Sequence, residues 1–61
     1  MEVHVFYKNE RFVNDIFTEV ENWAIDERSN LLKLYKKNAN GTLVCRVFIR
    51  LPETLKVEIY D

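Results

Sequence analysis

Apolar and polar side chains alternate along most of the chain, which is the pattern of half-buried β-strands. Four runs show this period of two: residues 2–8, 32–35, 43–51 and 55–60. A fifth run, residues 21–26, shows it around Trp23 and Ile25. The pattern predicts a mainly β fold, a small antiparallel meander of four to five strands. Within it we expect Trp23 to anchor the core, with Val20 and Ile25 beside it.

The segment from Glu10 to Val20 fits two interpretations. Its apolar residues fall on one face at helical spacing; they are Phe12, Val13, Ile16, Phe17 and Val20. Its residue types argue the other way, because Val, Ile, Thr, Phe, Asn and Asp are mediocre helix formers. We favour extended structure for this segment. The alternative is an α+β fold with one short helix near residues 10–20.

Two sequence signals in the second half of the chain indicate where strands turn or end. Asn40-Gly41 lies between two alternating runs, and Asn-Gly is a strong hairpin signal because both residue types tolerate a positive φ. Pro52 follows the second run and cannot donate a hydrogen bond to a strand ladder. We therefore expect a hairpin around residues 38–41 and a strand end at Pro52.

Length and composition indicate one globular domain spanning residues 1–61. Hydrophobic residues make up 48% of the chain, enough to form a core. A domain of this size still buries only about 60% of its unfolded surface. With one cysteine and one histidine, neither an internal disulfide nor a Cys/His metal site can form. We expect no cofactor, and we expect self-association into a homo-oligomer to add stability.

No run of the sequence reaches the roughly 20 apolar residues of a membrane-spanning helix. The longest near-apolar stretch, residues 43–51, contains Arg46 and Arg50. The first residues lack the basic start and long apolar run of a secretory signal. A free Cys45 fits a reducing compartment. We expect a cytoplasmic protein without membrane contact.

Short segments of alternating apolar and polar residues, separated by polar turns, follow one another from Val20 to Tyr60. They comprise Val20, Trp23 and Ile25, a polar turn at 26–30, Leu32 and Leu34, a polar hairpin, and residues 57–59. In this pattern the chain resembles the small β-meander proteins encoded by phages and prophages of Gram-positive bacteria. Proteins of this kind generally have no assigned activity. The resemblance implies a stoichiometric binder that blocks or redirects a host protein.

The residues that carry catalysis in other proteins have structural explanations here. Cys45 falls on the same alternating run as Val47 and Ile49, so we expect it to be a buried packing residue. His4 lies on the polar side of the first strand, and we expect it at the surface. Asp26 and Glu27 lie in an expected turn, where solvated carboxylates are ordinary. We therefore predict that the protein is not an enzyme.

Charge is distributed unevenly although the net charge is only −1. Acidic residues cluster early, at Asp15, Glu19, Glu21, Asp26 and Glu27. From residue 28 to residue 52 there are six basic residues and no acidic one. If the hairpin loop has two or four residues, odd positions of its first strand face even positions of its second. Leu32 and Leu34 then form a core face with Cys45, Val47 and Ile49.

The opposite face of that hairpin interleaves basic and aromatic side chains beside Val44. Six residues on it are our candidate binding residues: Lys33, Tyr35, Lys37, Arg46, Phe48 and Arg50. This face can bind a protein partner through its aromatic and arginine anchors. It can follow the phosphates and stack the bases of a nucleic acid. It can also simply neutralise the protein's own acidic segment across the sheet.

Apolar residues on both faces of the expected sheet indicate either a small closed barrel or a second face covered by another element or subunit. The near-zero net charge counts against nonspecific DNA binding. The sequence therefore predicts a non-enzymatic binding protein, such as a phage or mobile-element factor, that binds and occludes a protein partner. The alternative is a nucleic-acid or nucleotide binder that uses the basic and aromatic hairpin face.

Overall fold

The computed structural model describes all residues, 1–61, and contains six strands and one short 3-10 turn. The strands are β1 (Glu2–Tyr7), β2 (Asp15–Phe17), β3 (Asn22–Asp26), β4 (Leu31–Lys37), β5 (Leu43–Arg50) and β6 (Thr54–Tyr60). Every pairing is antiparallel. The predicted mainly β class is thus confirmed. The strand beyond the four to five expected is β2, which lies in the ambiguous segment 10–20 and makes the helical alternative for that segment wrong.

The strands form two three-stranded sheets with orders β2-β1-β6 and β3-β4-β5. The last strand returns to pair with the first, so Val3 lies opposite Ile59 and Val5 opposite Val57. The two sheets stay separate and do not close into a barrel. No helix here has the length and apolar character needed to cross a bilayer.

The core lies between the two central strands. Six residues are buried, all of them apolar: Val3, Val5, Val20, Leu32, Leu34 and Ile49. The first two come from β1, and the last three from the β4–β5 hairpin. Val20 lies in the connection between the sheets, where its N–H donates to the carbonyl oxygen of Met1 at 3.0 Å. Alternation in β1 and β4 therefore identified the core face of each sheet.

Trp23 does not anchor this core, so that expectation was wrong. Trp23 pairs with Leu34 and Ile25 with Leu32, which places them on the core side of their sheet. Leu34 is fully buried, yet Trp23 is 40% exposed and Ile25 is 52% exposed. Both residues lie on edge strand β3, which has a neighbouring strand, β4, on one side only. Val20 is buried as expected.

The β4–β5 hairpin turns through a three-residue loop, Ala39–Gly41. Asn38 and Thr42 close it, with the Asn38 N–H donating to the Thr42 carbonyl at 2.9 Å. The Asn38 side-chain oxygen accepts the N–H groups of Asn40 and Thr42, both at 3.0 Å. Within this loop only Gly41 has a positive φ, at 79°, which matches a turn followed by a left-handed residue. The predicted hairpin and the strand end at Pro52 are confirmed.

Candidate functional site

The six candidate residues all lie on the β4–β5 hairpin, and we call them the basic–aromatic face. From Leu31 to Leu34, odd positions of β4 lie opposite even positions of β5, as predicted. Lys33 lies opposite Phe48, and Arg50 lies opposite Leu31. The Lys33 Nζ is 6.0 Å from the centre of the Phe48 ring, at the limit of a cation–π contact. Phe48 is 59% exposed.

Nearer the turn, a β-bulge changes the pairing between Leu34 and Tyr35. Leu34 lies opposite Val47, but Tyr35 lies opposite Cys45, which leaves Arg46 as the extra residue without a partner on β4. Lys37 consequently lies opposite Leu43 and not beside Val44. The predicted neighbours are therefore wrong for this half of the hairpin. Because the loop has three residues, odd positions of β4 lie opposite odd positions of β5 next to the turn. The extra residue of the bulge shifts the pairing by one, so that odd positions lie opposite even ones beyond it.

The bulge also moves Cys45 out of its predicted place on the core face. Cys45 pairs with Tyr35 instead of with a core leucine, and it is half-buried. Its Sγ lies 3.7 Å from the carbonyl oxygen of Val47. The thiol thus contacts the backbone of its own strand beside the bulge, on the side of the hairpin that carries Tyr35.

Three of the four cations on the basic–aromatic face have a carboxylate of the same chain beside them. Lys33 Nζ lies 3.6 Å from Asp26, and Lys37 Nζ lies 4.0 Å from Glu21. Arg50 lies 3.9 Å from the Glu53 carboxylate. These pairs are solvent-exposed, so each contributes little to stability, but together they lower the positive potential of the face.

Arg46 is the one cation of the face without such a carboxylate partner. It is exposed and sits at the bulge, next to Cys45, which pairs with Tyr35, and two residues before Phe48 on the same strand. Bulges reorient side chains and occur often beside functional sites. Arg46 is therefore the cation of the face that no carboxylate of the chain neutralises.

Asp26 is held by its own turn more than by Lys33. Its Oδ1 accepts the backbone N–H of Arg28 at 3.0 Å and that of Ser29 at 3.4 Å. A hydrogen bond from the Ser29 side chain is the main cause that lowers the pKa of Asp26, followed by these backbone bonds and by the Lys33 charge. The carboxylate is thus ionised at neutral pH and stays beside Lys33.

A second polar cluster lies in the other sheet, where sequence reasoning did not look. The Tyr7 hydroxyl donates to the Asp15 carboxylate, and the Phe12 ring packs edge-on against the Tyr7 ring. Together with Glu53, these residues line an open groove. The hydrogen bond to Asp15, then burial, then the charges of Asp15 and Glu53 raise the pKa of Tyr7 to about 12. The Tyr7 hydroxyl and the Asp15 carboxylate thus satisfy each other, and their hydrogen bond links β1 to β2.

The two residues with nucleophile or base chemistry lie in different sheets, His4 in β1 and Cys45 in β5. His4 is half-buried, and its Nε2 lies 3.1 Å from Glu2. No group of three or more His, Cys, Asp or Glu side chains is arranged to hold a metal ion.

Sequence reasoning missed one exposed pair, Trp23 and Ile25 on edge strand β3. Both were assigned to the core, since alternation reports the face of a strand and not whether that face is covered. The acidic run around them, with no cation from residue 12 to residue 27, was the one available sign of a solvated edge. No protein-family model, curated protein or solved structure matches the chain.

Proposed function

We propose that this protein is a non-enzymatic binding module whose target is another protein. The observation that carries the proposal is that exposed large apolar side chains outnumber buried residues. Only six residues are buried, whereas ten large apolar side chains are exposed. These ten are Phe12, Val13, Ile16, Trp23, Ile25, Leu43, Phe48, Leu55, Ile59 and Tyr60. Extensive exposed apolar surface marks sites of protein contact.

The basic–aromatic face is the proposed contact surface. Phe48 supplies an exposed aromatic anchor, and Arg46, two residues before it on β5, supplies a guanidinium without a carboxylate partner. Aromatic and arginine side chains dominate the energetics of protein interfaces. The ion pairs of Lys33, Lys37 and Arg50 favour a protein target over a polyanion, because nucleic-acid binding depends on unneutralised cations. A nucleic-acid ligand stays the alternative, as an outcome of the test.

The mode of action we propose is occlusion, in which the bound module covers a working surface of its target. This agrees with the resemblance to small phage-encoded β-meander proteins. We place the protein in the cytoplasm, where the free Cys45 remains reduced, and expect self-association at micromolar concentration, because a second copy would also cover exposed apolar surface. Light scattering that gives a monomer mass near 7.4 kDa at high concentration would contradict the self-association.

The function is tested by capture from a bacterial lysate with and without nuclease. We expect the immobilised protein to retain a stoichiometric protein regardless of nuclease. Phe48→Ala should weaken that capture, while Val13→Ala, which truncates an exposed apolar residue outside the face, should not. Arg46→Glu with Arg50→Glu should weaken it with little change in stability, since exposed charges contribute under about 1 kcal/mol.

Two results of this experiment would refute the proposal. One is capture that disappears with nuclease, because the ligand is then a nucleic acid. The other is the absence of any stoichiometric protein at low and at moderate salt. If the double arginine reversal unfolds the protein, the arginines serve the protein's own structure, and the basic–aromatic face is not the contact surface.

A further inference from the structure

Strand β3 is the most exposed strand of the fold. Four of its five residues are exposed and none is buried, although it forms five consecutive pairs with β4. It lies at the edge of its sheet, so one side of its backbone has no strand beside it. Such an edge presents N–H and C=O groups that can pair with a further strand.

The backbone of β3 shows which groups face this free side. The N–H of Trp23 donates to the side-chain oxygen of Asn22 at 2.9 Å, as expected of an amide that points away from β4. In an antiparallel pair, the residues that point towards and away from the neighbouring strand alternate. Trp23 and Ile25 therefore direct their N–H and C=O groups to the free edge, and the Asn22 side chain occupies one of these positions.

The same two residues carry the exposed apolar side chains of this strand. Trp23 and Ile25 continue the core face of Leu34 and Leu32, but that face is uncovered at β3. A strand added along the edge would bond to the backbone of these residues and place alternate side chains against their rings and methyl groups. Backbone bonding joined to side-chain contacts of period two is the recognition mode of strand addition.

The charge of the edge selects the strand that can be added. Between residues 12 and 27 there are five carboxylates and no cation. Asp26 and Glu21 have lysine partners on β4, whereas Glu19 and Glu27 have no cation within 4 Å. A second copy paired through its own β3 would place two acidic segments side by side. A basic strand would complement the edge.

We infer that β3 is a docking edge for an extended segment of the partner protein in which apolar residues alternate with lysine or arginine. The segment joins the β3-β4-β5 sheet as a fourth strand, with its apolar side chains against Trp23 and Ile25 and its basic ones towards the acidic residues around β3. This inference rests on the proposed function, since it specifies how the partner binds beside the basic–aromatic face.

The probe is a seven-residue peptide with lysine at odd positions and valine or isoleucine at even positions. Trp23 is the only tryptophan, so its emission reports directly on the edge. We expect a shift to shorter wavelength that saturates below roughly 1 mM peptide. A peptide with glutamate in place of lysine should bind at least roughly tenfold more weakly. A lysine peptide N-methylated at two adjacent central residues, which blocks both its edges, should cause no shift.

The protein offers a matched pair of variants. Ile25→Pro removes an edge N–H at a position where an edge strand accepts proline, and it should abolish the shift. Ile25→Ala truncates the same side chain, keeps the N–H, and should retain binding with reduced affinity. Far-UV circular dichroism of both variants establishes that the sheet persists. If Ile25→Pro unfolds the protein, the peptide series on the wild type decides.

Three results would overturn the inference: no shift of Trp23 emission with the lysine peptide, equal binding of the N-methylated peptide, or equal binding of the glutamate peptide. None of them bears on whether the protein binds a partner at all. If Ile25→Pro folds and still captures the same lysate protein as wild type, the proposed function stands and docking at β3 is wrong.

Discussion

Two leucine-to-alanine substitutions test where the stability of this fold resides. Leu34 lies in central strand β4 and is fully buried, with Trp23 and Val47 opposite it on the flanking strands. Leu55 lies in edge strand β6 and is 69% exposed. Both substitutions delete the same atoms from a strand. Any difference between them therefore measures burial and not residue type.

The expected magnitudes are far apart. Replacing a buried leucine by alanine costs about 2–5 kcal/mol, because the cavity adds to the lost transfer free energy. A domain of 61 residues has a free energy of unfolding of roughly 3–9 kcal/mol, so Leu34→Ala removes a large share of it. Leu55→Ala removes a mostly solvated side chain and should change stability by no more than about 0.5 kcal/mol.

Urea unfolding followed by far-UV circular dichroism measures both changes. With an m-value near 1 kcal/mol/M, Leu34→Ala should lower the midpoint by about 2 M or more, and Leu55→Ala by less than about 0.5 M. The reasoning is refuted if Leu34→Ala unfolds within about 0.5 M of wild type. It is also refuted if Leu55→Ala lowers the midpoint as much as Leu34→Ala does, whatever the protein concentration. If Leu55→Ala is destabilising only at high protein concentration, Leu55 is an interface residue.

Substitutions at three further positions test other parts of the structure. Trp23→Ala should still give a cooperative circular dichroism melt and cost about 2 kcal/mol, less than the 3–5 kcal/mol of a fully buried aromatic residue; a chain that does not fold would return Trp23 to the core. Tyr7→Phe should cost about 1–2 kcal/mol near pH 7, since it removes a hydrogen bond to the Asp15 carboxylate. The pKa of Tyr7 is about 12 in the folded state and near 10 when unfolded, so the native state holds this proton more tightly; the contribution is complete below pH 10 and is lost as the pH rises to 12. Urea midpoints between pH 9 and 12 should therefore fall more steeply for wild type than for Tyr7→Phe, and parallel curves would contradict this. Gly41→Ala should cost about 1–2 kcal/mol in thermal melts, because φ is 79° and no atom crowds the position; Gly41→Asn should cost less, and equal costs would show that φ is not the cause.

Local pattern was enough to predict the parts of the fold that depend on local physics. Alternation in β1 placed Val3 and Val5 on one face, and both are buried. Residues 38–41 predicted a hairpin because a left-handed residue was available at Gly41. The helical spacing of residues 12–20 was misleading, since its apolar side chains do not share one face and β2 pairs with β1 instead.

The register of the β4–β5 hairpin and the exposure of individual apolar side chains could not be predicted in the same way. The bulge at Arg46 depends on a loop of three residues, where an even number was assumed. The exposure of Trp23 depends on which strand lies at the edge of the sheet, and this is set by pairing between distant parts of the chain. For the candidate site, alternation predicted that Lys33 and Phe48 share a face, and the structure pairs them directly. The carboxylates beside its cations were foreseen only as one of three interpretations.

The residues that were misjudged lie where the proposed contacts occur. Core residues are specified by their own alternation, because a buried position must be apolar wherever it lies in the sheet. An edge position such as Trp23 has the same local pattern but is only partly covered, so the exposed part of its apolar surface adds to stability only when something binds there. A partner that covers it contributes RT ln(1 + [L]/Kd) to stability. For a chain with six buried residues, about 2.7 kcal/mol at a hundredfold excess over Kd is a substantial fraction of the total. Binding at β3 would therefore be coupled to folding, and the melting temperature should rise with the concentration of any ligand that occupies β3.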